Sequence, residues 1–248
     1  MFSLDEIQAG LKSQEFFLEY LPTMSLSDNR CVGAETLIRW RHDNRVVPPL
    51  EFIPLVEYTP ISGTLTYWVL ETVAKELGGW IREHDDIHIS INVPPELLGR
   101  GGLRYTAEKS NLQGLTGKFM LEITERGLPD ALGVAAIATA SRSGVLIALD
   151  DVDVNQANLV VLSRLNAAVV KVDKSFADRM LQQDWTPQDI DGLAALIHTG
   201  NCKVIVEGIE TAVQVEILKE AGVELVQGFY FSRPLPAAEF IDYYSAHH

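Results

Sequence analysis

From Ile87 onward the chain repeats one unit, and that repetition narrows the possible folds more than any other feature. A short, nearly continuous apolar run is followed by a stretch with apolar residues at three- and four-residue spacing. The runs are "IHISINV", "FMLEITE", "VLIALDD", "AVVKVD", "KVIVEGI" and "ELVQGFYF". Between them lie helical patterns such as "DALGVAAIATASRSG", "NLVVLSRL", "DIDGLAALIHTG" and "AVQVEILKEAG", and "PAAEFIDYYSA" closes the chain. Strands apolar on both faces, alternating with amphipathic helices, predict a parallel sheet covered on its outer side. Before the repeat, "FFLEYLPTMSLSDNRCVGAETLIRW" reads as two strands joined by a polar turn at Ser27, Asp28 and Asn29. Such a hairpin makes the first strand antiparallel to the second. The following "TLTYWVLETVAKELGGWIRE" has helical spacing. About eight strands are then available, which favours a closed barrel over an open sheet. The weakest stretch, Gly99 to Gly117, reads as a long loop or short helix on that barrel.

The chain has 248 residues, a size common for one α/β barrel, so a single domain over 1–248 with its core at about 16–240 is expected. A net charge of −14 argues against a surface that draws nucleic acid polymers or anionic membranes by its overall field. An anionic small molecule would need a local cationic device. No apolar run reaches membrane length, and no charged-then-apolar signal opens the sequence. Cys31 and Cys202 lack metal-ligand spacing and read as reduced thiols of a cytoplasmic protein.

Polar residues fall at one place in each unit, towards the C-terminal end of the strand. They are Glu35, Asn92, Glu122 and Glu125, then the adjacent Asp150 and Asp151. Lys171 and Asp173, Glu207 and Glu210, and Gln227 follow. In a parallel barrel those ends converge on one mouth. A single acid at a strand end usually caps a helix, and Glu125 and Glu210 could do so. Recurrence on strand after strand weakens that explanation. Glu35 lies inside an apolar strand, where an unpaired carboxylate is costly. Carboxylates with one amide, and no required cysteine or histidine, form a hard ligand set suited to Mg2+ or Mn2+ rather than zinc.

Eight segments, "AETLIRW", "FIPLVE", "SINVPPELL", "LEITE", "IALDD", "VVKVDKSF", "VIVEGIET" and "VQGFYFSRPLP", resemble the EAL-domain phosphodiesterases in order and spacing. The likeness runs from Phe16 to Phe240. It implies an α/β fold, a TIM-like (β/α)8 barrel with an antiparallel first strand. The implied activity is hydrolysis of cyclic di-GMP to linear pGpG with two Mg2+ or Mn2+ ions, in a unit that pairs as a homodimer and answers to a sensor or regulator. By the same resemblance, Glu35, Asn92, Glu122 and Asp150 would bind one metal, and Asp151 with Glu207 the second. Lys171 would position or help deprotonate the attacking water, with Asp173 beside it. Leu37 and Arg39 would contact substrate, Arg39 through a phosphate. Gln227 would lie near the second metal and its water. Glu125 and Glu210 would support the loop after the paired aspartates.

Three departures qualify the likeness. Thr36 stands where the family usually has alanine, and period-two reasoning turns it away from Glu35 at little expected cost. Pro94 replaces a serine. The family's DDFGTGYSSL loop reads "DDVDVNQANL" here, with Asp153 and Asn155 at the two glycine positions. Both residue types tolerate the left-handed region, so the backbone path can survive while the loop's contacts change. Two alternatives therefore stand beside the enzyme: a receptor that binds cyclic di-GMP without cutting it, and an interaction protein of the same fold with no nucleotide role.

Overall fold

A computed structural model describes residues 2–124, 131–154, 167–182, 184–198 and 202–248. The strands are β1 (Phe16–Ser25), β2 (Cys31–His42), β3 (Arg45–Val47), β4 (His88–Asn92), β5 (Phe119–Thr124), β6 (Leu146–Val152), β7 (Val169–Val172), β8 (Lys203–Val206) and β9 (Leu225–Gln227). They pair in the order β1-β9-β8-β7-β6-β5-β4-β2, and β1 also pairs with β2, which closes the barrel. Eight strands form the ring, while β3 extends the β2 edge as a short antiparallel flap. β1 runs antiparallel to both neighbours and the remaining ring pairings are parallel, as the hairpin requires.

The described helices at Pro60–Glu83, Ala131–Arg142, Pro187–His198, Ala212–Glu220 and Ala237–Ala246 lie where the three- and four-residue spacing put them, while Lys174–Gln182 was not foreseen. Thr59 caps the helix Pro60–Glu83 by accepting from the Ile61 N–H, with Pro60 in the first turn, where its missing N–H costs nothing. Thr211 and Gln214 form a capping box at the start of Ala212–Glu220. The glycine-rich stretch after β4 contains one short helix, Gly102–Lys109. The predicted helix at "NLVVLSRL" lies outside the described residues. Helices at Leu4–Lys12 and Pro49–Val56 were not read from the sequence. His247 and His248 sit against the end of the barrel opposite the mouth. The His247 carbonyl accepts from the Cys31 N–H at 2.7 Å.

Period two along the strands sets the position of everything that follows. A floor of Met120, Ala148, Val169 and Ile205 plugs the barrel interior. Two residues further along the same strands stand Glu122, Asp150, Lys171 and Glu207, the next layer towards the mouth. Outward-facing residues of the same strands join the large core beneath the helices, among them Ile89, Ile91, Ile123, Ile147, Val170 and Val206. Charge thus enters the barrel only above an apolar floor.

Candidate active site

Lys171 is the hub of the inner layer. Its side chain is 1 % exposed, and four carboxylates from four other strands or strand ends converge on its Nζ. Nζ donates to Glu35 Oε2 and Glu122 Oε2, both at 2.9 Å. Glu207 Oε1 at 2.6 Å and Asp150 Oδ1 at 3.3 Å approach the same ammonium without the alignment of a hydrogen bond. Asn92 Nδ2 donates to Glu35 Oε1 at 3.1 Å, so both oxygens of Glu35 are engaged. Five of the residues expected at one site are therefore brought together with Lys171: Glu35, Asn92, Glu122, Asp150 and Glu207.

Four carboxylates around one ammonium leave an excess of negative charge. Burial raises the Glu122 carboxyl well above its usual range, and repulsion from Glu35 adds to it. Burial also raises Asp150, with Lys171 opposing and Glu35 and Asp151 reinforcing the shift. Glu207 is pushed up to about 8 by burial against the pull of Lys171, although 22 % of its side chain still meets solvent. For Lys171 burial favours loss of the proton, yet Glu122, Glu35, Glu207 and Asp150 outweigh it and hold the pKa well above the ordinary lysine value. The cluster is short of positive charge by itself.

The donor chemistry fits a hard divalent cation. Glu122 Oε1, Asp150 Oδ1, Glu207 Oε1 and Gln227 Oε1 are buried oxygens without a hydrogen-bond donor. Asp150 Oδ1 and Glu207 Oε1 have the Lys171 ammonium beside them, while Glu122 Oε1 and Gln227 Oε1 have no donor, and buried acceptors left so are costly unless something binds them. As they stand, the acids turn to the Lys171 ammonium, and no three His, Cys, Asp or Glu side chains among the described residues are already spaced around a cation.

A bulge sets the two adjacent aspartates apart. Leu149 pairs with Val170 and Val152 with Val172, so Asp150 and Asp151 together face Lys171 across the ladder. One extra residue in a strand re-aims side chains, a device common beside active sites. Asp150 is buried inward while Asp151 is exposed, with φ 58° in the left-handed region. The expected left-handed position at 153 is thereby corrected: among the described residues of this segment, it is Asp151 that takes it. Asn155 lies outside the described residues, as does Glu125. Thr36 does turn away from Glu35, but its buried hydroxyl finds no partner, so the substitution is not free of cost.

Nearer the mouth, Arg39 Nε donates to Glu19 Oε2 at 2.8 Å and its Nη1 to the Ile38 carbonyl at 3.1 Å. Leu37 is half-buried directly opposite Glu19. Gln227 Nε2 donates to Thr23 Oγ1 at 2.8 Å, which leaves Gln227 Oε1 as its unengaged end. Asp173 Oδ1 accepts from the Ser175 N–H at 2.9 Å and caps the helix Lys174–Gln182. Glu210 Oε1 accepts from Lys174 Nζ at 3.0 Å, so it braces the start of that helix. A cavity of about 160 Å3 opens here, lined by Leu21, Lys174, Glu207, Gly208, Gln227 and Phe229. Gly208 has φ 74°, and a Cβ there would run into the Lys174 side chain. A larger groove of about 680 Å3 lies on the outer face between the helices Pro60–Glu83, Gly102–Lys109 and Ala131–Arg142. Its lining is mainly aliphatic, so size and chemistry point to different places, and the acids decide for the mouth.

Sequence reasoning missed Glu19 and Thr23. The signal for Glu19 was the one that exposed Glu35, an acid inside an apolar strand. Thr23 became informative only through its register with Gln227.

Comparison with known proteins agrees with this architecture. The family model for the EAL domain matches residues 4–234. The probable cyclic di-GMP phosphodiesterase PdeB of Escherichia coli K12 is 32% identical over 252 residues, covering 97% of this chain and 47% of that protein. The chain spans about half the length or less of the curated relatives it matches, 36% of the bifunctional diguanylate cyclase/cyclic di-GMP phosphodiesterase MucR of Pseudomonas aeruginosa among them. The solved complex of the PaMucR phosphodiesterase with cyclic di-GMP superposes with a TM-score of 0.84 at 28% identity, covering 96% of this chain and 98% of that one. An EAL domain protein from Listeria monocytogenes EGD-e gives 0.83 at 26% identity, covering 99% and 98%.

Proposed function

Because the chain belongs to the EAL domain family, we propose that it is a divalent-metal-dependent phosphodiesterase that opens cyclic di-GMP to linear pGpG. One observation carries the reading: four carboxylates from separate elements converge on the buried Lys171, with buried oxygens left over to bind a cation. Relatives that match nearly the whole chain are named cyclic di-GMP phosphodiesterases, and a solved neighbour is a complex with cyclic di-GMP.

In this reading Glu35, Asn92, Glu122 and Asp150 would hold one Mg2+ or Mn2+, and Asp151 with Glu207 a second. The chemistry such a pair would supply is polarisation of the phosphate and a lowered pKa for a water, as in-line ester hydrolysis needs. The chain's own groups do the rest. Lys171, kept charged by its four acids, orients the attacking water by donating to its oxygen. Glu207 accepts the proton that water gives up. Arg39 holds a non-bridging phosphate oxygen, and Leu37 packs beside the nucleotide. Gln227 Oε1, fixed by Thr23, accepts from the water. Asp173 and Glu210 fix the strand-to-helix turns that border the site, and Glu125 is assigned the support of the altered loop. Water adds to phosphorus, one P–O ester bond breaks, and the freed alkoxide oxygen takes the proton from Glu207 to leave as a hydroxyl. A single domain, a homodimer, a regulatory partner and a cytoplasmic setting belong to the same reading.

The replaced loop after Asp151 favours a second reading, a receptor that binds cyclic di-GMP without cutting it. Incubation of the pure chain with cyclic di-GMP and Mn2+ or Mg2+, followed by chromatography, separates the two. The enzyme yields pGpG that a Glu35→Ala preparation does not. Binding without product supports the receptor, and neither binding nor product supports an interaction protein.

A further inference from the structure

The family likeness brings Arg39 to the substrate but leaves open what holds it there. The hairpin register answers this. Glu19 lies opposite Leu37, and Phe17 opposite Arg39, so Glu19, Leu37, Arg39 and Glu35 share one face of the β1–β2 pair. On that face the Arg39 Nε–H meets Glu19 Oε2 at 2.8 Å, and one Nη1–H meets the Ile38 carbonyl. Both side chains are largely shielded, with 16 % of the Arg39 side chain and 26 % of the Glu19 side chain exposed.

The geometry points to Glu19 as the positioning residue that presents the free Nη edge of Arg39 to a phosphate of the substrate. This rests on the phosphodiesterase reading above. A guanidinium carries five N–H donors in a fixed fork, and planar anions use two at a time. Two of the five are spent on Glu19 and Ile38, one from Nε and one from Nη1, which leaves both N–H groups of Nη2 and one of Nη1. Among the described residues nothing accepts from Nη2. The two contacts therefore lock the plane of the fork while its Nη end stays open to oxygen. A free arginine would have to surrender side-chain rotamers when substrate arrives, and this one has already done so. Glu19 touches no substrate in this arrangement and acts through Arg39.

Affinity for cyclic di-GMP, read as calorimetric Kd and as KM with Mn2+, tests the assignment in the wild type, Glu19→Ala and Glu19→Gln. Loss of the lock in Glu19→Ala should weaken affinity about two- to tenfold, the cost of ordering one long side chain. Turnover at saturation should stay within about twofold, because the contact is made equally before and during reaction. Glu19→Gln still accepts from the Nε–H and should restore affinity to near the wild-type value. An independent readout is the NMR signal of the Arg39 Nε–H, protected in the wild type and Glu19→Gln, and exchange-broadened in Glu19→Ala. Unchanged or tighter binding by Glu19→Ala would overturn the assignment and make the carboxylate a competitor of the phosphate. Equal losses of turnover in both variants would also overturn it. A wild type that neither binds nor cuts cyclic di-GMP removes the phosphodiesterase reading itself, and the phosphate assigned to Arg39 with it.

Discussion

Replacing Lys171 with methionine keeps most of the side-chain volume and removes the one positive charge among Glu35, Glu122, Asp150 and Glu207. All four lie within 3.3 Å of Nζ, and the lysine is 1 % exposed, so no water can take its place without rearrangement. Breaking a buried pair by deleting one partner costs about 3–5 kcal/mol. For a chain of this size that is a fall in Tm of about 6–20 °C. The loss should depend on pH, with a sign the cluster fixes. Glu122, Asp150 and Glu207 have raised pKa values in the fold, Glu207 to about 8. A carboxyl whose folded value lies above its unfolded value binds more protons when folded. Its contribution to stability therefore falls as pH rises from the unfolded value through the folded one. Without Lys171 to oppose burial, the folded values rise further and the fall continues to higher pH. Urea denaturation of wild type and Lys171→Met at pH 5.5 and 8.5 should show the gap widening at the higher pH. Millimolar Mn2+ should narrow it, because the cation supplies the missing charge. A gap that is absent, or that stays constant or shrinks with rising pH, would refute the view of Lys171 as the counter-charge of the acid layer.

Other expectations follow from the same geometry. Thr36→Val removes a buried hydroxyl without a partner and should stabilise by about 1 kcal/mol in urea titrations, since an orphaned group costs about 1–3 kcal/mol; a destabilised variant would mean that the hydroxyl is bonded. Asp151→Val should lose about 1–2 kcal/mol, because a β-branched residue resists the left-handed backbone at φ 58°. Asp151→Asn should keep its stability and bind Mn2+ more weakly; equal stability of the two variants would count against the bulge geometry. Divalent-cation affinity should fall as pH drops below about 8, with protons released on binding, because Glu207 must lose its proton to serve. Calorimetry in two buffers of different ionisation enthalpy reads that release, and its absence would remove Glu207 from the ligand set.

The barrel was legible because the strands are near-continuous apolar runs, nearly all with a polar residue towards the C-terminal end, and because about eight of them favour a closed ring over an open sheet. The inner layer was legible for the same reason: the step from Met120 to Glu122, or from Val169 to Lys171, is a change of chemistry at period two. What escaped notice depended on register between strands. Two adjacent aspartates in a regular strand would face opposite sides, and only the pairing of Leu149 with Val170 and Val152 with Val172 reveals the bulge. Among the described residues of this segment, the left-handed backbone falls at Asp151, inside the bulge, rather than at Asp153. The hold of Glu19 on Arg39 needed the hairpin alignment, and the unpartnered hydroxyl of Thr36 needed the packing around it.

The central claim, that these acids and Lys171 direct water onto one phosphate ester, is tested most directly by reaction in 18O-enriched water. With Mn2+ present, mass spectrometry of the product should find pGpG carrying a single heavy oxygen, located on its terminal phosphate, and no product from Glu35→Ala. Intact cyclic di-GMP after prolonged incubation, or a product without the heavy oxygen, would contradict it.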